Sequence, residues 1–161
     1  MSRYFPLFVD LEQRRVLLFG AGQIASRRLG GLLRFGAQVT VIAPEIGEAA
    51  AQLIKQYAPQ VTVQRRGYRH GDIADAELVL SATDCPQIDR QIFEECRQKG
   101  IPVNIASDQT LCDFYFPALI EQDGLVIGVS SGGSDHRKVR RVSAALREAL
   151  AGQSEPLGGE Q

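Results

Sequence analysis

Apolar residues in this chain come in short continuous runs, with longer stretches between them in which apolar positions recur every three or four residues. Val16-Leu17-Leu18-Phe19 is the first dense run, and Val39-Thr40-Val41-Ile42, Val61–Val63, 78–82 and Val103–Ile105 follow. Runs of this length rich in β-branched residues predict buried strands. Between the first two, residues 23–35 set Ile24, Leu29, Leu32 and Leu33 on an inward face, and Gly36 stops the helix. Residues 45–57 repeat the pattern with Ile46, Ala49, Ala50, Leu53 and Ile54, and residues 88–99 repeat it before Gly100. Phe5 to Val9 is a short apolar lead-in that predicts an edge strand. Strands alternating with helices predict an α/β fold, a parallel sheet with right-handed crossovers.

The pattern changes after residue 110. Two strand-like runs, 114–120 and 125–130, flank Glu121-Gln122-Asp123-Gly124, whose Asp-Gly pair signals a hairpin. Ser134 or Asp135 can then cap a helix reaching Ala151, with Val139, Val142, Leu146 and Leu150 as its apolar stripe. Residues 152–161, rich in Gly, Glu and Gln, read as a disordered tail. The expected organisation is a first domain over 1–110, a β-hairpin plus helix over 111–151, and the tail. A hairpin and one helix bury little alone. This piece is therefore expected to pack against a second copy in a homodimer, the alternative being its own sheet.

Composition narrows the setting. The chain has 161 residues, 44% of them hydrophobic, and a net charge of −1. That balance gives no global attraction to nucleic acid or an anionic membrane, and no apolar run approaches the roughly 20 residues of a membrane span. The first ten residues meet charge too early for a secretory signal, so the cytoplasm is the expected compartment. Cys85, Cys96 and Cys112 form no close pair, and His70 and His136 have no helical ligand partner. Free thiols and no built-in metal site are expected.

The candidate chemistry begins at Gly20-Ala21-Gly22-Gln23-Ile24-Ala25, which follows the first strand and opens the first helix. Strand, glycine turn, helix, strand is the context in which a Gly-x-Gly-x-x-Gly/Ala turn binds a dinucleotide in a Rossmann-type sheet. Gly20 allows the tight turn, Gly22 admits a pyrophosphate, Ala25 permits close helix packing, and the helix amides face the phosphates. The alternative is a tight turn that only packs. Glu45 stands a residue or two late for an acid gripping the ribose, and no arginine is there to meet a 2′-phosphate, which favours NAD over NADP. Glu45 is equally readable as a helix-start acid.

The order of motifs resembles the precorrin-2 dehydrogenase family, the amino-terminal part of siroheme synthase. The matching segments are Tyr4–Leu11, Gly20–Arg28, 39–45, Ala82-Thr83-Asp84, 100–104, Leu111–Ala118 and Val129-Ser130-Ser131-Gly132-Gly133, collinear over about residues 4–150. The Val-Asn strand followed by Cys-Asp-Phe-x-Phe-Pro-Ala is its specific part. The resemblance implies oxidation of the tetrapyrrole precorrin-2 to sirohydrochlorin with NAD as hydride acceptor, and in some members iron insertion. It implies cofactor contacts at Gln23, Ile24, Pro44 and Glu45, with Thr83 and Asp84 lining the same cleft, and an active-site serine at Ser131, with Ser130 as the alternative.

The chain departs from the family in three places. Ser107 occupies the position of the catalytic aspartate, and Asp108 follows. A hydroxyl cannot replace a carboxylate as general base without an activating partner, so Asp108 either takes the role or is a loop acid or helix cap. After Gly132-Gly133 the chain reads Ser134-Asp135-His136-Arg137-Lys138, which is unlike the usual continuation. The glycine pair offers an anion-binding concavity. Arg137, Lys138, Arg140 and Arg141 oppose the helix dipole and call for an acidic partner, the substrate or another subunit, unless they are a solvated face. His136 is a further acid/base or iron-approach candidate. Finally, the helical segment of free-standing members beyond residue 161 has no counterpart. Three readings follow: a dehydrogenase, a dehydrogenase that also inserts iron, or a non-catalytic NAD- or tetrapyrrole-binding module.

Overall fold

In the computed structural model, which describes residues 4–152, β1 (Arg15–Phe19) is the centre of a five-stranded parallel sheet. Around it lie β2 (Gln38–Ile42), β3 (Val61–Gln64), β4 (Leu78–Ser81) and β5 (Val103–Ile105), in the order β3-β2-β1-β4-β5. The helices are α1 (Gln23–Arg34), α2 (Glu48–Gln56) and α3 (Pro86–Lys99). This is the Rossmann-type arrangement expected from the alternation of runs. Register matters most for function: Phe19 pairs with both Ile42 and Ser81, and Ser81 with Ile105. The strands therefore end level, and the residues that follow them emerge along one edge.

Strand alternation sends Leu17 and Phe19 to one face of the sheet, where they pack with Ile73, Val79, Ile92, Cys96, Val103 and Ile105. Val16 and Leu18 lie on the other face, and Leu29, Leu32 and Leu33 of α1 are as fully buried as they are. Each such side chain contributes about 1.5–3 kcal/mol by leaving water. No helix joins β3 to β4. Segment 65–77 crosses instead, with Ile73 buried and Tyr68 edge-on to Phe19 at 5.6 Å between ring centroids. Glu95 of α3, 1% exposed, ties this segment down. It accepts the Tyr68 hydroxyl at 2.6 Å and the Gly71 amide at 3.1 Å, with His70 and Lys99 nearby. Burial pushes the Glu95 carboxyl up, but these donors outweigh it and hold it below the ordinary value of 4.5. Burial and then Glu95 push the Tyr68 phenol upward, so it remains a donor.

Contacts divide the chain between Tyr115 and Phe116, past the boundary expected at 110, and residues 4–6 group with the second unit. The reason lies in 111–115, which fold back on β5: the Asp113 amide donates to the Val103 carbonyl at 2.9 Å, and Asn104 Nδ2 to the Phe114 carbonyl at 2.7 Å. The second unit holds β6 (Ala118–Gln122), β7 (Leu125–Val129) and α4 (His136–Ala151). β6 and β7 pair antiparallel around Asp123 and Gly124, both with positive φ as a two-residue hairpin turn requires.

Four local expectations change. Phe5 to Val9 forms no strand: the sheet edges are β3 and β5, and Phe5, Leu7, Phe8 and Val9 are exposed. Ile24 is 45% exposed because α1 turns inward only at Ala25, Ser26 and Leu29. α2 starts at Glu48 with Gly47 as its cap, which leaves Glu45 in the preceding bend and not in the helix. On α4, Ser143 takes the buried place and Val142 is exposed. The expected tail beyond Gly152 lies outside the described residues.

Replacing Glu95 should show how much the 65–77 crossover depends on it. Its folded value is depressed, so its contribution is full above about pH 4.5 and fades as pH falls through the lower folded-state value. Glu95→Gln should cost about 1–3 kcal/mol at neutral pH and flatten the acid limb of stability in urea unfolding.

Candidate functional site

Gly20 has φ +93°, and a Cβ there would lie 2.4 Å from the Ala82 carbonyl oxygen. The exits of β1 and β4 thus touch, fixed by Ala82 N–H to Phe19 O at 2.9 Å, while Gly20 N–H to Ile42 O at 3.0 Å holds the same turn to the end of β2. Gly22 caps α1 without any side-chain hydrogen bond, and the first turn carries no acid. A Cβ on Gly22 would meet nothing within 4 Å. An uncapped positive helix end beside open space suits a pyrophosphate, so these residues fit a dinucleotide. Gln23 and Ile24 are exposed at the same end. Pro44 and Glu45 are exposed in the bend after β2. That bend is seated by Gly47, whose amide donates to the Ala21 carbonyl at 3.2 Å and whose Cβ would come within 2.8 Å of it. Gly47 was not singled out from the sequence, since its partner lies on the glycine turn some 26 residues earlier.

Beyond β4 and β5 stands a second group that sequence reasoning missed. Asp89, in the first turn of α3, is 2% exposed. Its Oδ1 accepts the Ser81 hydroxyl at 2.6 Å and the Thr83 hydroxyl at 2.7 Å, and its Oδ2 accepts the Ser107 hydroxyl at 2.6 Å. Ser81 is wholly buried, Thr83 half-buried and Ser107 exposed, so the cluster runs from the interior to the surface. A carboxylate accepts and does not donate, so each hydroxyl directs its hydrogen at Asp89. Asp84 is exposed beside Thr83. The one signal in the sequence was Ser and Thr at both strand ends with an acid at a helix start.

Asp108 caps the turn Gln109–Leu111: its Oδ1 accepts the Thr110 hydroxyl at 2.7 Å and amide at 2.8 Å. These two bonds hold its carboxyl below the ordinary aspartate value. Cys112, pushed up by burial, gives its thiol hydrogen to the Ile105 carbonyl at 3.2 Å. Arg28 of α1 is lowered by burial, lies in electrostatic reach of Cys112 and Asp89, and keeps Nη1 buried with no hydrogen-bond partner among the described residues.

Gly20, Gly22, Gln23, Ile24, Pro44, Glu45, Thr83, Asp84, Ser107 and Asp108 thus all follow the carboxyl ends of strands in the 7–115 unit, where α/β sheets bind ligands. Ser131 belongs to the other unit. There the Ser131 hydroxyl oxygen accepts the Asp135 amide at 3.0 Å, and Ser130 Oγ accepts the Gly132 amide at 3.1 Å. The Gly132 amide is therefore spent within the loop and not offered to an anion. Asp135 caps α4 through the Lys138 amide at 2.8 Å. It supplies, within the chain, an acid at the helix end that the basic residues oppose. Arg137, Lys138, Arg140, Arg141 and His136 are exposed.

Comparison with known proteins bears on the family and the fold. The profile of a family described as putative NAD(P)-binding matches residues 7–118. Siroheme synthase of Azotobacter vinelandii is 38% identical over 130 residues, 81% of this chain and 28% of that protein. Siroheme synthase of Pseudomonas entomophila is 35% identical over 156 residues, 97% of this chain and 33% of that protein. The chain thus spans about a third of these relatives' length or less. Among solved structures, SirC, precorrin-2 dehydrogenase, superposes with a TM-score of 0.74 at 25% identity over 91% of this chain and 71% of that one. The resemblance drawn from the motifs, and the fold it implied, are borne out.

Two glycine variants separate folding from binding. Gly20→Ala should cost about 2–4 kcal/mol through positive φ and the Ala82 carbonyl, read as a lowered Tm. Gly22→Ala should change stability by only about 0.5 kcal/mol while weakening NAD about tenfold or more, roughly 1.4 kcal/mol, in calorimetric titration.

Proposed function

Because the chain belongs to the putative NAD(P)-binding family, we propose that it oxidises precorrin-2 to sirohydrochlorin, with NAD taking the hydride. The observation that carries the reading is the Gly20–Ala82 contact. It sets the dinucleotide turn directly against the strand exit that leads to Thr83 and the Asp89 cluster. The dinucleotide turn and the Asp89 cluster therefore lie at the same, carboxyl-terminal end of the sheet, which supports the reading. The relatives called siroheme synthase and the structure called precorrin-2 dehydrogenase supply the substrate class.

In this reading Gly20, Gly22, Gln23 and Ile24 hold the pyrophosphate, while Pro44 and Glu45 face the ribose. No cation stands between residues 43 and 48 to favour a 2′-phosphate. Thr83 and Asp84 border the reacting end. NAD, when bound, supplies the hydride acceptor; the protein's task is to place the substrate carbon and take up the accompanying proton. Ser131 stays a candidate active-site serine by family likeness alone. Asp108 is the less suitable base, since its cap makes it more acidic and occupies Oδ1. A homodimer is part of the proposal, supported by exposed Leu125 and Val142 on a unit that buries few side chains. A cytoplasmic setting is also part of it, consistent with the absence, among the described residues, of any helix long and apolar enough to cross a membrane.

Purified protein given NAD and precorrin-2 should produce reduced nicotinamide, followed by its absorbance. NAD binding without turnover would overturn the dehydrogenase reading in favour of a binding module. Asp108→Ala should retain kcat within about threefold, well short of the 10²-fold loss expected of a general base. Light scattering should give twice the chain mass.

A further inference from the structure

The Ser107–Asp89 pair answers the question that the sequence raised at position 107. Resting on the dehydrogenase reading, we infer that this pair takes up the proton released in the oxidation, Ser107 Oγ receiving it as its own hydrogen passes to Asp89 Oδ2. The two atoms are 2.6 Å apart, a distance over which a proton transfers directly. Ser107 is exposed, and Asp89 is 2% exposed behind it. Because the Ser107 hydrogen is directed inward, its lone pairs face outward and accept. A serine so placed presents to the substrate the proton affinity of a carboxylate held one residue deeper.

A structural role accounts for less of the arrangement. Ser81 alone, buried and 2.6 Å away, satisfies Oδ1 from within the core. The other two hydroxyls come from beyond the strand ends, Thr83 after β4 and Ser107 after β5. They carry the cluster out to where the dinucleotide turn meets Ala82.

The electron count closes. One substrate C–H bond breaks with its pair leaving as hydride to the nicotinamide. The second hydrogen leaves as a proton to Ser107 Oγ, and its bonding pair stays in the macrocycle as the new double bond. The Ser107 O–H bond breaks as the Asp89 O–H bond forms, and after product release the proton returns through Ser107 to water. Ser107 is the catalytic residue here; Asp89, acting through it, is a positioning residue that stores the proton.

The test uses the full chain with NAD and precorrin-2, together with carbon-13 NMR of aspartate carboxyls. Ser107→Ala and Asp89→Asn should each lower kcat by 10²-fold or more with KM for precorrin-2 within about threefold, and the double variant should lose little beyond either single one. Ser107→Asp combined with Asp89→Asn should recover kcat to within about tenfold of the parent, which guards against loss of fold in Asp89→Asn. In NMR, the signal missing from Asp89→Asn should shift in Ser107→Ala. An active parent whose kcat survives either single substitution overturns the relay. So does an Asp89 signal that is indifferent to Ser107. A parent that binds NAD but turns nothing over overturns the dehydrogenase reading instead, and the NMR result still decides whether Asp89 and Ser107 are coupled.

Discussion

A backbone without a side chain at position 20 is the constraint on which the rest of the site depends. β1 and β4 end level, and the chain must leave β1 so tightly that the next residue lies against the carbonyl of Ala82. Only glycine fits both the positive φ and the missing Cβ. From that contact follow the start of α1, the seating of the β2 exit by Gly47 on Ala21, and the nearness of Thr83 to the turn. Moving the β1 exit outward by one methyl group would separate the glycine turn from Thr83 and the Asp89 cluster.

The second organising interaction is the buried carboxylate of Asp89. A charge removed from water is costly unless it is fully hydrogen-bonded. Here three hydroxyls from two segments, the ends of β4 and β5, supply the bonds, and the start of α3 adds its dipole. The arrangement welds α3 to the ends of β4 and β5. Structure and chemistry therefore draw on the same bonds, and substitutions among Ser81, Thr83, Asp89 and Ser107 are coupled rather than additive.

Much of this was legible in the sequence where the signal was local. Continuous apolar runs gave the strands, Gly36 and Gly100 their helix ends, and Asp123-Gly124 the hairpin turn, since each depends on a few adjacent residues. The glycine turn was legible because strand and helix flank it within thirty residues. Phe5 to Val9 and the start of the second helix were misread because an apolar run does not choose a partner strand, and a bend held by Gly47 is set by a tertiary contact. Asp89 was invisible for the same reason: its partners lie 6, 8 and 18 residues away and meet only when β4 and β5 pair. The sequence showed that a carboxylate was missing at 107, but not that another stood behind it.

The crossover between β3 and β4 has a dynamic consequence. A helix in that place would carry its own ladder of backbone bonds, whereas segment 65–77 is fastened mainly by Ile73, the Arg66–Asp72 pair and the Tyr68–Gly71 grip on Glu95. Such a segment opens as a unit, at a free energy below that of global unfolding. By that reasoning amide exchange in this domain is expected first along 65–77, with Phe19 and Ile73 uncovered before β1, β4 and α1 open. The nucleotide turn, built on those closed elements, is thereby insulated from the loosest part of its own domain.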